Sequence, residues 1–274
     1  MTINVNRLIG NTPCMSIDNI LIKCEFMNLT GSIKDRTALY MLSKVPKNHT
    51  IMEATSGNTG ISLAALYSAL GFSGKCIIYL PITTSKRKVE MILKYGATVV
   101  TCKDIKDSMT ELQKDLSMFN KTGTPTTWTN QFDSIANLAA QTVMAKEIEP
   151  EFMSALDHRP IYYPPTDIVV GIGTSGTLAG LFNVFPSANY HTFRCIDGAI
   201  EGTSDGVPLP LKPRECNLIV HDITMNEVIT VKNMLRFDYG IDIGYSSAAN
   251  FVVAQKLKGK RILTIFADRG DRYE

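Results

Sequence analysis

Hydrophobic and polar positions along this chain change period repeatedly, and the changes lay out alternating strands and helices. Apolar runs of strand length fall at Ile20–Phe26, around Ile51, and at Cys76–Leu80, Thr98–Cys102, around Thr127, Asp167–Val170, Thr192–Asp197, Leu218–Asp222 and Arg261–Phe266. Between them, apolar residues recurring every three or four positions predict helices over Ser32–Ser43, Thr59–Leu70, Ser85–Lys94, Ser108–Phe119, Ile135–Ile148, Thr177–Val184, Asn226–Phe237 and Ser247–Leu257. Strands separated by helices predict an α/β protein with parallel sheet. Two stretches break the rhythm. Residues 149–165, rich in proline and holding Asp157 and His158, read as a connection, and Gly198–Glu215 reads as turns. Two α/β layers sharing a cleft fit the length of 274 residues.

Composition narrows this little. A hydrophobic content of 45% supports a real core, and a formal net charge of +2 with no basic block argues against a nucleic-acid partner. Six cysteines, at 14, 24, 76, 102, 195 and 216, form no Cys-x-x-Cys pair and have no histidine at metal spacing, so no metal site is expected. Several lie in apolar runs and read as buried thiols of a reducing compartment. Met1–Val5 shows no signal-peptide pattern, and no apolar run reaches the ~18–20 residues of a membrane span, so the expectation is a cytoplasmic protein.

Candidate chemistry lies in the loops. Glu53-Ala54-Thr55-Ser56-Gly57-Asn58-Thr59-Gly60 joins a strand to a helix start, where unpaired amides and short hydroxyls suit an anion such as a carboxylate or phosphate. A helix-capping polar turn has the same composition. Gly171-Ile172-Gly173-Thr174-Ser175-Gly176-Thr177 also follows a strand and opens a helix, predicting a phosphate cradle. It equally satisfies Gly-x-Gly-x-x-Gly, with Asp197 about twenty residues on, so a dinucleotide site competes with a phosphate-bearing cofactor. The third piece is Asn28–Arg36. Ser32 is placed to cap a helix with Lys34 in its first turn, where the dipole and burial both disfavour a charged ammonium and make the amine a nucleophile. A solvated Lys34 balanced by Asp35 is the plainer alternative. His158 is either a base or half of a surface pair with Asp157.

Ile9–Pro13, Gly31–Arg36, Glu53–Gly60, Gln131-Phe132, Gly173–Thr177, Gly244–Ser247 and Asp268–Tyr273 occur in an order and spacing that resembles the cysteine synthase and cystathionine β-synthase family, most of all the B-type cysteine synthases. The match covers nearly the whole chain.

That resemblance implies a fold type II pyridoxal 5′-phosphate enzyme, usually a homodimer, with a large domain from residues 1–35 and 138–274 and a smaller mobile one from 36–137. It implies that Lys34 carries the cofactor as a Schiff base. Thr55, Ser56, Asn58 and Thr59 would grip the substrate carboxylate with help from Gln131, Asn58 also reaching the cofactor ring oxygen. Gly173, Thr174, Ser175, Gly176 and Thr177 would hold the phosphate. Ser246 would supply the hydroxyl facing the pyridine nitrogen, because Arg269 stands where A-type relatives carry serine. The implied reaction makes L-cysteine from O-acetylserine or another activated serine and sulfide or thiosulfate. Cystathionine-type, diaminopropionate-type and desulfhydrase reactions stay open beside it, as do a dehydrogenase and an inactive binding relative. Departures from the family are an early stop at Glu274, a shorter stretch at Gly206–Pro210, and serine at 175 where glycine or threonine is common, a mild change. The first two are expected to affect nucleophile choice and dimer geometry.

Overall fold

The computed structural model describes residues 5–156, 159–203, 210–257 and 261–273. In chain order the elements are β1 (Cys14–Ile17), β2 (Ile20–Cys24), α1 (Lys34–Leu42), β3 (Thr50–Ala54), α2 (Asn58–Ala69), β4 (Cys76–Pro81), α3 (Lys86–Lys94), β5 (Thr98–Cys102), α4 (Ile105–Lys121), β6 (Thr126–Trp128) and α5 (Ile135–Ile148). They continue with β7 (Met153–Leu156), β8 (Arg159–Tyr162), β9 (Asp167–Val169), α6 (Gly176–Val184), β10 (Asn189–Cys195), β11 (Leu218–Ile223), α7 (Met225–Tyr239), α8 (Tyr245–Lys256) and β12 (Ile262–Phe266).

Two parallel sheets result. One has the order β5-β4-β3-β6; the other runs β1-β2-β12-β9-β10-β11 and is parallel except for the β1–β2 hairpin. Strands β3, β4, β9 and β12 are buried along their whole length, as expected where helices cover both faces. Ile51, Ile61, Leu66 and Ile78 pack one side of the smaller sheet, and Met52, Tyr79 and Leu112 the other. In the larger sheet, Ile22, Phe251, Val253 and Phe266 form one cluster and Ile168, Leu181, Leu263 and Ile265 another.

Sheet order decides where a ligand fits. From β3 the chain steps outward through β4 and β5, then returns to place β6 on the other side of β3. From β9 it steps through β10 and β11, then places β12 on the other side of β9. At such reversals the loops leaving the carboxyl ends of neighbouring strands part and open a crevice. The loops after β3, β6, β9 and β12 carry Thr55–Asn58, Gln131, Gly173–Thr177 and Asp268.

Helix ends sort the same way. Ser85 accepts from Lys88 N before α3, Asp104 accepts from Asp107 N before α4, and Thr224 and Glu227 form a reciprocal capping box on α7. Helices α2, α6 and α8, whose first turns meet the crevice, have no side-chain cap, and α1 and α5 also lack one.

Some expectations shift. The 149–165 connection contains a 3₁₀ turn at Glu149–Phe152 and the antiparallel hairpin β7–β8, because only its prolines were legible as breaks. Asp157 and His158, the surface pair or base, lie outside the described residues, as does Gly206–Leu209 of the shortened stretch. Strand β10 runs from Asn189 to Cys195 rather than 192–197, and β1 was not anticipated. Helix α1 starts at Lys34 with Ile33 as its cap residue, although Ser32 Oγ still accepts from Lys34 N at 3.3 Å.

A buried charge network ties α1 to the larger sheet. Arg36 meets Glu25 through Nε and Nη2 (2.7 and 2.9 Å) and Glu147 through Nη1 and Nη2 (2.7 and 2.6 Å), while Lys23 Nζ reaches Glu147 at 2.9 Å and the Thr12 carbonyl at 2.6 Å. Glu25 is 0% exposed, so removing its partner strands a buried anion. Arg36→Ala is expected to lower unfolding free energy by about 3–5 kcal/mol, measured by urea denaturation.

Candidate active site

All the predicted site residues line one cleft between the two sheets: Lys34, Thr55, Ser56, Asn58, Thr59, Gln131, Gly173, Thr174, Ser175, Gly176, Thr177 and Ser246. Residues up to 212 positions apart are thereby brought together, from Lys34 to Ser246.

The first wall is the turn between β3 and α2. Gly57 sits at φ 126°, a conformation open to glycine and closed to ordinary side chains, and it swings the chain into α2 without a side-chain cap. Gly57 N instead donates to Thr55 Oγ1 at 3.1 Å. Beside it, Thr59 Oγ1 donates to Gln131 Oε1 (2.6 Å), and Gln131 Nε2 donates to the Ala54 carbonyl (3.0 Å). Gln131 therefore lies against the loop with both ends of its amide engaged.

The opposite wall is the turn between β9 and α6. Ser175 adopts φ 64°, a left-handed conformation that costs a non-glycine residue roughly 1–2 kcal/mol. Against glycine the serine carries this cost; against threonine it does not add to it. Its hydroxyl is buried with no hydrogen-bond partner, next to a helix start that no side chain caps. Asn137 on α5 braces this wall, donating to Thr174 Oγ1 (3.0 Å) and to the Gln131 carbonyl (2.9 Å) and accepting from Thr37 Oγ1 (3.0 Å).

Lys34 lies at the base. Burial pulls its amine down from an ordinary 10.5 to about 8, against the opposing charges of Asp268 and Glu53. Asp35 does not balance it, being itself 0% exposed and accepting from the Thr30 amide and hydroxyl at 2.6 Å each. Glu53, also 0% exposed, is pushed by burial from 4.5 to about 7, partly offset by bonds from Thr129 Oγ1 (2.5 Å) and Gln131 N.

Ser246 lines the cleft one helical turn before Asn250, whose Oδ1 is buried and unpartnered while its Nδ2 donates to the Ile265 carbonyl (3.0 Å). Arg269 turns away, its Nε donating to the Phe26 carbonyl at 3.3 Å. Asp197 is exposed past the end of β10 and accepts from Met225 N (2.7 Å), so it supports the start of α7, and it is not among the residues that line the cleft with the glycine turn. Burial pushes the Cys14 thiol to about 11 and those of Cys24 and Cys76 to about 12, which makes them poor nucleophiles. Sequence reasoning did not single out Glu53, Asn137, Asn250 or Asp268 as site residues. For Glu53 and Asp268 a signal existed, since both sit inside the quoted motifs.

A family model described as pyridoxal-phosphate dependent enzyme matches residues 5–268. Cysteine synthase B of Campylobacter jejuni is 29% identical over 300 residues, spanning 98% of this chain and 96% of that protein. Among solved structures, the O-acetylserine dependent cystathionine β-synthase of Helicobacter pylori is 28% identical with a TM-score of 0.83, covering 100% of this chain and 97% of that one. A hydrogen sulfide-producing enzyme of Fusobacterium nucleatum is 27% identical with a TM-score of 0.83, covering 98% and 89%.

The raised Glu53 binds its proton more tightly folded than unfolded, so it removes stability as pH climbs from 4.5 to about 7 and adds no further loss above that. Glu53→Gln is expected to abolish this component. Wild type minus variant, followed by denaturant unfolding at pH 5 and pH 8, should drop by about 2.5 kcal/mol between the two.

Proposed function

Since the chain belongs to the pyridoxal-phosphate dependent enzyme family, we propose that it is a cysteine synthase-type enzyme that replaces the β-substituent of an O-activated L-serine with sulfide or another sulfur nucleophile. With O-acetylserine, acetate leaves the β-carbon, hydrosulfide bonds there, and L-cysteine results. The observation that carries this reading is the meeting of a desolvated lysine with two uncapped helix starts in one cleft.

Pyridoxal phosphate is the family's cofactor, and the residues present fit it. The orphaned Ser175 hydroxyl beside the free end of α6 suits a phosphate, with Gly173, Thr174, Gly176 and Thr177 completing the cradle. Lys34 would hold the aldehyde, Asn58 would face the ring oxygen, and Ser246 would face the ring nitrogen. When bound, the group supplies an electron sink for charge developing at the α-carbon.

The remaining chemistry belongs to the chain. Thr55, Ser56 and Thr59, with the first amides of α2, hold the substrate carboxylate against the positive end of the helix. Gln131 fixes Thr59 through their 2.6 Å bond and lends its second N–H to the carboxylate. The Lys34 amine, easier to deprotonate than an ordinary lysine, takes the α-proton. Moving the smaller sheet, β3 to β6, toward the larger domain would close the cleft and exclude water, with α1 held to the larger domain by Arg36 at the edge of the proposed 36–137 unit. This division is supported by the smaller sheet lying wholly within β3 to β6. The homodimer stands on the family resemblance.

Lys34→Ala is expected to lower cysteine formation from O-acetylserine and sulfide by about 10²–10⁴-fold with an unchanged circular dichroism spectrum. Undiminished turnover refutes the reading. Gln131→Ala is expected to raise the KM for O-acetylserine while leaving cofactor affinity within about twofold, which parallel substrate and cofactor titrations compare.

A further inference from the structure

Asp268 has no role in the scheme above, yet the polar groups of the cleft converge on its carboxylate. It follows β12 and is registered against Ser32 by an isolated antiparallel bridge, with Ile33 N donating to the Ala267 carbonyl (2.8 Å) and Arg269 N to the Gly31 carbonyl (3.2 Å). The segment is thus stitched to the residues immediately before Lys34. The Asp268 side chain is 1% exposed.

Its two oxygens are used differently. Oδ2 accepts from Asn58 Nδ2 and from the Tyr273 hydroxyl, both at 2.6 Å. Asn58 Oδ1 in turn accepts from Arg272 Nη1 at 2.8 Å. The carboxamide is therefore clamped between an anion and a cation. Turning it over would set oxygen against carboxylate and amino group against guanidinium, so one orientation holds and one N–H is left for an occupant of the cleft. Oδ1, by contrast, is buried without a donor. It is backed by Gly244, where a Cβ would collide with it. A buried carboxylate oxygen left unmatched is costly unless a donor arrives at some stage.

We propose that Asp268 is a positioning residue of this cleft, one oxygen fixing the Asn58 carboxamide and the other serving as counter-ion to the Lys34 amine whenever that amine carries a proton. The proposal rests on the reading that Lys34 is the cofactor lysine. The proton stays on Lys34, and Asp268 neither takes nor gives one.

The charged surroundings agree. Lys34 feels Asp268 from the β12 side and Glu53 from β3, both favouring its protonated form against burial. Burial, followed by the Asp268 charge and bond, holds Tyr273 well above the ordinary tyrosine range, so it remains a donor. Glu201 and Arg272 also act on Tyr273, and the Lys88 ammonium lies 4.1 Å over its ring.

The test uses the full-length chain freed of pyridoxal phosphate with hydroxylamine, its folding checked by circular dichroism. A small amine-reactive reagent is applied across pH, and labelling of the Lys34 peptide is read by mass spectrometry. Wild type should show a midpoint of about 8. Asp268→Asn preserves shape and removes charge, so its midpoint should fall by about one unit and Lys34 should label about fivefold faster at pH 7. An unchanged or raised midpoint overturns the proposal. Should that variant fail to fold, Tyr273→Phe decides. Loss of the hydroxyl leaves the carboxylate less shielded, so the midpoint should rise; an unmoved or lower value overturns it. Failure of the underlying reading is distinguishable, because undiminished turnover of Lys34→Ala would leave these amine titrations intact.

Discussion

An amine withheld from water at the seam between two sheets is the constraint on which this structure depends. Lys34 opens α1, and the backbone just before it is bonded to the strand end at Ala267 and Arg269. Burial makes its ammonium expensive, while Asp268 and Glu53 keep that cost within reach of ordinary pH. A solvated lysine would be a poor base and a poor nucleophile at neutrality. Without the two carboxylates, the same burial would leave the amine too weak to hold a proton it had taken.

The fold delivers everything else to that amine by one device used twice. In each sheet the chain reverses its direction of strand addition, and the loops flanking each reversal face the seam. Glycine and serine hold the strained turns there, and α2, α6 and α8 begin without the side-chain caps that finish α3, α4 and α7. At α2 and α6 an anion can take the place of the missing cap. The Lys23–Glu25–Arg36–Glu147 network holds α1 steady behind it, so that strain at the turns does not loosen the lysine.

Much of this was legible in the sequence because it rests on short-range signals. The period changes locate the central strands and most helices, and Gly/Ser/Thr-rich turns between strand and helix mark both walls of the cleft. Other features escaped for physical reasons. The β7–β8 hairpin is short and proline-broken, with no alternation to set it apart from a loop. The Asn58–Asp268 bond joins residues 210 apart and the Arg272–Asn58 bond residues 214 apart, and no local pattern announces such pairs. Glu53 occupies the interior of a strand, where its charge would count against burial until Thr129 and Gln131 are seen to meet it. Asp197 shows the converse error: its spacing along the chain suits a ribose acid, but its carboxylate is engaged by the start of α7.

The central claim is that Lys34 carries the aldehyde of pyridoxal phosphate. Borohydride reduction of the protein purified with its cofactor, followed by peptide mapping, tests it most directly. The account predicts a pyridoxyl group fixed on the Lys34 peptide alone; an unmodified Lys34, or the label on another lysine, would contradict it.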